Sequence, residues 1–229
     1  MELMSNIFFP MLAGHLIADF WLQPTSWVRH KQINGWKSTK LLIHSAIASL
    51  LPVLFILRLD VWWFFPVIFF SHYIFDVVKS KRENTIFSYI VDQFLHITIL
   101  AILSVSLNLS LPDQIAIFWI YFSGLILVTQ PLGILVGKFL NVITKAGSEK
   151  AKLDASAWIG ILERILIVIF VSMLQFQAIG FLVAAKSIYR FSDTHKDGAA
   201  KAEYYLLGTL FSFTLAIITG LAISWLTGQ

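Results

Sequence analysis

Two stretches of this chain, Gln114–Gly137 and Tyr204–Gln229, run for the thickness of a bilayer without a single Asp, Glu, Lys or Arg. At about 1.5 Å of rise per residue, roughly 20 apolar residues carry a helix across the hydrocarbon core. Lipid offers the backbone no hydrogen bonds, so a segment of this kind must satisfy its own N–H and C=O groups as a helix. The remaining apolar runs place further spans at about 3–24, 40–58, 61–79, 86–108, 155–174 and 176–190, with the two clearest at 114–138 and 204–226. The expected fold is therefore all-α: a polytopic transmembrane helical bundle of about eight membrane segments, forming one integral membrane domain over 1–229. The 176–190 piece is short enough to be re-entrant. Gln175-Phe176-Gln177 is the candidate turn before it.

Composition agrees. The chain is 58% hydrophobic and only 13% charged, with mean hydropathy +0.78, where soluble domains carry about 25% charged residues. It has no cysteine, which removes disulfides, thiol nucleophiles and thiolate metal sites from consideration. The first apolar run lacks a basic flank and continues into a helix studded with polar groups, unlike a cleavable leader.

A net charge of +4 and pI near 9.3 suggest nucleic acid at first sight. The basic residues are instead dispersed over separate loops with no reading element, so no nucleic-acid partner is expected. With eight crossings, Arg29, Lys31, Lys37 and Lys40, then Lys79, Lys81 and Arg82, then the groups near 138–152 and 186–201, all fall on one side; Arg58 alone falls on the other. By the positive-inside rule both termini lie outside. Trp62, Trp63, Trp119 and Trp225 then mark the outer aromatic belt, and Trp36 and Trp158 the inner one.

Against this background the ionisable residues inside the spans stand out, because each costs several kcal/mol in a bilayer and defaults to a functional reading. His15 and Asp19, His72 and Asp76, and Asp92 and His96 are each spaced i,i+4, which stacks the two side chains on one helical face. His44 adds a fourth imidazole, and Glu163 stands next to Arg164. In the alternating topology all of them fall near the inner ends of their helices, whereas the outer halves hold little beyond Ser and Thr. Imidazole and carboxylate are the ligands of catalytic zinc, and of manganese or iron in harder sites. Helix-borne His and acid ligands from several helices are the di-metal arrangement of bundle cores.

His15, Asp19, His72, Asp76, Asp92 and His96 are therefore the candidate ligands of a divalent metal, zinc before manganese or iron. His44 is a ligand or a supporting group with a catalytic role, and Glu163 is the candidate general base. Lys79, Lys186 and Arg190 are candidate holders of an anionic head group, or snorkelling topology anchors. Gln23 and Gln93 either bind substrate or hydrogen-bond a neighbour. A single His–Asp pair in a membrane helix is more often a clamp between helices; three pairs and a further histidine at one depth favour a site. For Glu163 and Arg164 the structural reading is the better one, with Arg164 neutralising a neighbouring acid. His30 and His195 are read as solvated loop residues.

The segment Gly14-His15-Leu16-Ile17-Ala18-Asp19-Phe20 followed by Gln23 resembles the opening of a bacterial membrane family, the domain of unknown function 3307 family. Ala178-Ile179-Gly180-Phe181, Ala184-Ala185-Lys186-Ser187-Ile188-Tyr189-Arg190-Phe191 and Glu203-Tyr204-Tyr205-Leu206-Leu207-Gly208-Thr209-Leu210 with Ser212 extend the resemblance, as do His72…Asp76 and Asp92-Gln93…His96. It implies a multi-pass protein of the bacterial cytoplasmic membrane and carries no established catalytic residue. The His-x-x-x-Asp pattern of the first four spans is more distantly similar to membrane-bound metal-dependent hydrolases and zinc-dependent phospholipase C enzymes. That likeness implies phosphoester chemistry.

The leading expectation is a membrane-embedded metal-dependent hydrolase acting on a lipid or lipid-linked phosphoester at the cytoplasmic leaflet. Its partners are membrane lipid and a small or lipid-linked substrate, and a homo-oligomer is compatible with the chain. The alternatives are an ion- or proton-coupled transporter or channel using the same His/Asp cluster, with Pro10, Pro131 and the 176–190 segment as broken-helix features, and a non-catalytic membrane scaffold.

Overall fold

A computed structural model describes residues 7–107, 109–144, 155–194 and 199–228. Among the described residues the chain is all α: α1 Phe8–Phe20, α2 Thr25–Asn34, α3 Thr39–Ile56, α4 Phe64–Ser80, α5 Ile86–Ser106, α6 Asp113–Leu127, α7 Gln130–Thr144, α8 Ala155–Ser172, α9 Phe176–Thr194 and α10 Ala199–Thr227, with short 3₁₀ turns at Gly35–Lys37 and Leu59–Val61. The chain divides into two compact units, Met1–Ile126 and Leu127–Gln229.

Four described helical stretches are long and apolar enough to cross a membrane: Thr39–Ile56, Ile86–Ser106, Asp113–Ile143 and Glu203–Thr227. Phe8–Phe20 and Phe176–Ile188 are shorter apolar helices. The helical bundle and its membrane character thus stand, while the count of eight crossings is not supported. Large apolar side chains such as Phe70, Phe94, Val105, Ile218 and Trp225 point outward from their helices and are exposed, as lipid contact requires. A soluble monomer rarely leaves so much apolar surface uncovered.

Two departures from the expected spans have local causes. Residues 25–34, read as loop, form the polar helix α2, entered through Pro24 and closed by Gly35 at φ 51, a positive φ that glycine adopts without steric cost. His30 therefore sits on a helix, with its Nδ1 2.8 Å from Ser38 Oγ. The expected span 114–138 is interrupted by a turn at Val128-Thr129. Pro131 has no N–H to offer the carbonyl four residues back, so α7 starts anew. The turn expected at Gln175-Phe176-Gln177 falls slightly earlier, at Met173-Leu174, and Phe176 already opens α9.

In the first unit, α1 packs on α3, α3 on α4, α4 on α5 and α5 on α1. The starts of α3 and α5 are fixed locally. Ser38 caps α3 by accepting from Leu41 N at 3.1 Å, and Thr85 caps α5 by accepting from Ser88 N at 3.1 Å. Such side-chain caps satisfy one of the orphan N–H groups of a helix's first turn. At one end of the bundle Ile7, Met11, Ile56, Val61, Phe64, Ile68, Leu100 and Leu103 form a closed apolar core. These residues come from the start of α1 and α4 and the end of α3 and α5, so the opposite end collects the end of α1 and α4 and the start of α3 and α5.

In the second unit α10 packs along α8 and α7, with Ile167, Val171, Ile179, Phe213 and Ala216 as its core.

Candidate metal centre

The end of the first unit opposite the apolar core is where the i,i+4 pairs arrive. His15 and Asp19 lie in the last two turns of α1, His72 and Asp76 towards the end of α4, His44 in the second turn of α3, and Asp92 and His96 in the second and third turns of α5. The alternating directions of these four helices bring them to one level, and His15, His44, His72, Asp76, Asp92 and His96 are all buried. All six candidate metal ligands and His44 thus gather in one cluster.

The tightest part involves three helices. His44 Nε2 and His72 Nε2 are 3.0 Å apart, and Asp19 Oδ1 lies 3.3 Å from the first and 3.5 Å from the second. Asp76 Oδ2 stands 3.8 Å from both imidazole nitrogens. Ligands held at about 2.0–2.2 Å around a tetrahedral zinc are separated from one another by about 3.3–3.6 Å. The observed edges straddle that value. Asp19 Oδ1 is buried and has no hydrogen-bond partner, a costly state for a carboxylate oxygen and one that a cation relieves. These four groups fit a divalent metal.

The other half of the cluster has an orphaned pair of its own. His96 Nε2 is 3.5 Å from Asp92 Oδ1, and both atoms are buried without a hydrogen-bond partner. His96 stacks against His72 with ring centroids 4.1 Å apart. Gln93 bridges the two halves: its Nε2 donates to Asp92 Oδ2 at 3.1 Å and Asp19 Oδ2 at 3.4 Å, while its Oε1 accepts from His15 Nε2 at 3.3 Å. His15 is thereby tied to an amide. His15, Asp19 and His72, like Asp19, Asp92 and His96, still present nitrogen and oxygen atoms within 4.8 Å of one another, as metal groupings do.

Two lysines complete the electrostatics. Lys79 donates to Asp92 Oδ2. Lys31 donates to Asp76 Oδ2 from the polar helix α2 and is itself only 5% exposed. Sequence reasoning treated Lys31 as a loop cation and missed it. The Pro24…Gly35 bracket, which favours a helix between proline and glycine, was the available signal. Three carboxylates face two ammoniums, an imbalance of one that a cation would offset. Beside it lies a cavity of ≈ 70 Å³ lined by Gln23, Lys31, Asp76, Lys79, Arg82 and Glu83 among others.

Glu163, Arg164 and Lys186 belong to the second unit. Glu163 accepts from Lys186, whose Nζ also lies 5.2 Å over the Phe213 ring. Arg164 does not neutralise an acid as expected. It donates to the carbonyls of Val128 and, at 2.8 Å, Thr129, and its Nη1 reaches Ser212 Oγ at 3.2 Å. The turn between α6 and α7 exposes those carbonyls in an apolar surrounding, and a buried guanidinium with five donors suits them. The side chain of Arg190 and the whole of His195 lie outside the described residues.

A helical membrane protein with a buried histidine–aspartate centre is thus defined by its first unit, and the family follows from the sequence there. Residues 7–121, half of the chain and every member of the cluster, match the family model described as protein of unknown function (DUF3307). The chain belongs to that family. No curated protein and no solved structure matches it.

Proposed function

We propose that the protein is a divalent-metal hydrolase of the bacterial cytoplasmic membrane, acting on a phosphoester of a lipid or lipid-linked substrate that it reaches from the cytoplasmic leaflet. Zinc is the metal of choice, with manganese or iron as substitutes. The observation that carries the reading is the buried triangle of Asp19 Oδ1, His44 Nε2 and His72 Nε2, with edges of 3.0–3.5 Å. Asp19, His44 and His72 would hold the ion, which would supply Lewis acidity toward a phosphoryl oxygen and a water. Asp92 and His96 are placed to accept the proton that the water gives up. Lys31, Lys79 and Arg82 supply the positive rim that an anionic head group needs. The orientation is supported by charge: in the first unit Arg58 lies at the apolar end, while Arg29, Lys31, Lys37, Lys40, Lys79, Lys81 and Arg82 gather at the site end, as on a cytoplasmic face.

Proton or ion transport is the second reading, favoured by the direct His44–His72 contact and the His72–His96 stack, since imidazole chains relay protons. A through-path would have to continue past Ile7, Met11, Phe64 and Leu100, which close the other end of the same helices. That apolar plug supports hydrolysis over transport. A scaffold role would leave the cluster as a clamp only.

Metal content of the purified protein decides between these readings. About one or two ions per chain are expected in the wild type and none in the H72A/D76A double variant, together with loss of phosphoester hydrolysis. Near-zero metal in both overturns the metal reading. Proton flux in liposomes that stops on Asp92→Asn would put transport first.

A further inference from the structure

The lysine that holds Asp76 would share its carboxylate oxygen with a metal bound at the cluster. Lys31 Nζ donates to Asp76 Oδ2, and that same atom lies 3.8 Å from His44 Nε2 and His72 Nε2. A dication among these nitrogens and an ammonium on the shared oxygen would stand a few ångströms apart in a buried setting, where charges repel far more strongly than in water. That repulsion favours release of the lysine, which has somewhere to go. Lys31 already lines the cavity beside the cluster, together with Gln23, Lys79 and Arg82. The cavity's ≈ 70 Å³ is several times the roughly 10–15 Å³ that one water needs on the same measure. Its acids are Asp76, which the metal would engage, and Glu83.

We infer that this cavity is a phosphate site whose affinity is switched on by metal binding: the cation takes Asp76, and the released Lys31 ammonium joins Arg82 and Gln23 as a donor to the phosphate group. Lys31 acts as an internal surrogate cation, holding Asp76 until the metal arrives and the anion afterwards. The inference rests on the metal reading of the cluster and adds to it the ligand class and the order of events. It also explains why a polar helix, α2, places a buried lysine against a membrane bundle.

The test uses the full chain in nanodiscs of phosphatidylcholine. Zinc and inorganic phosphate are titrated separately and together, with a second arm in which phosphatidic acid is added to the lipid. Zinc is expected to tighten binding of phosphate, free or lipid-borne, by about tenfold or more, a difference of about 1.4 kcal/mol. Linkage requires phosphate to tighten zinc by the same factor, which the wild type alone reports. Preference for one arm identifies the source as free phosphate or a lipid head group. Lys31→Met should bind zinc more tightly than wild type and lose the coupling. Arg82→Gln, at the exposed rim, should weaken phosphate while leaving zinc unchanged, and it serves if the Lys31 variant does not fold. Zinc binding with phosphate affinity equal in its presence and absence overturns the switch alone. Failure of the wild type to bind zinc overturns the metal reading and the switch together.

Discussion

Gly14 of α1 sits against the backbone of Pro52 in α3 so closely that an added Cβ would lie 2.6 Å from Pro52 N and 2.8 Å from Leu51 C. No side chain can yield there, because the obstruction is main chain. One residue beyond Gly14 on α1 is His15, and Asp19 follows one turn later, facing His44 of α3 at 3.3 Å. Helix contact and site geometry therefore share one hinge point. Gly14→Ala is expected to push α1 from α3, at about 1–3 kcal/mol for overpacking. The separation should also lower zinc affinity more than a change of similar cost at Gly220, whose added Cβ would meet the Val171 side chain at 2.8 Å in the second unit. Thermal unfolding of both variants, with zinc titration alongside, checks this.

Arg164 is expected to tolerate no replacement, lysine included. Its guanidinium serves the carbonyls of Val128 and Thr129 together with Ser212, a fan of donors that one ammonium cannot reproduce. The buried Val128 carbonyl left unpaired costs about 1–3 kcal/mol, while Thr129 O also accepts from Gly133 N at 3.2 Å. Arg164→Lys should lower the unfolding temperature markedly, and Arg164→Met more so. Equal stability of all three proteins would show that the turn does not need its arginine.

Glu163 and Lys186 should behave as a pair. Their side chains are 10% and 14% exposed, so removing one strands a charge away from water at a cost of about 3–5 kcal/mol. Lys186→Met and Glu163→Gln are each expected to destabilise, and the double variant to recover most of the loss. A double-mutant cycle measures the coupling.

How much of this was legible beforehand depended on period and context. His15–Asp19, His72–Asp76 and Asp92–His96 were visible because an ionisable pair at helical spacing contrasts sharply with an apolar run. Their convergence followed from alternating helix direction, which the run lengths already implied. Lys31 was not legible, since a cation in the polar stretch Thr25–Asn34 has no apolar background against which to stand out. Its burial is a tertiary event produced by α2 folding against the first unit. Arg164 could be seen but not assigned, because its partners are main-chain carbonyls freed by a turn at Val128-Thr129 that hydropathy does not register.

The histidines are expected to differ in their importance for metal, and the order separates a defined centre from a diffuse polar cluster. His44 and His72 present Nε2 atoms to Asp19 Oδ1, and Asp19 Oδ1 has no other partner. His15 Nε2 is instead engaged by Gln93, and His96 leans on Asp92. Alanine at His44 or His72 should abolish zinc binding. Alanine at His15 or His96 should weaken it by about 10–100-fold, the range for groups that orient ligands. Zinc at a hundred times its dissociation constant should add about 2.7 kcal/mol to wild-type stability, and nothing to the His44 and His72 variants. Gln93→Ala removes the amide that holds Asp19 Oδ2 and so should weaken zinc by about 10–100-fold as well while costing stability. If all four histidine variants lost zinc equally, the ion would be shared across the whole cluster and not held by the α1–α3–α4 triangle.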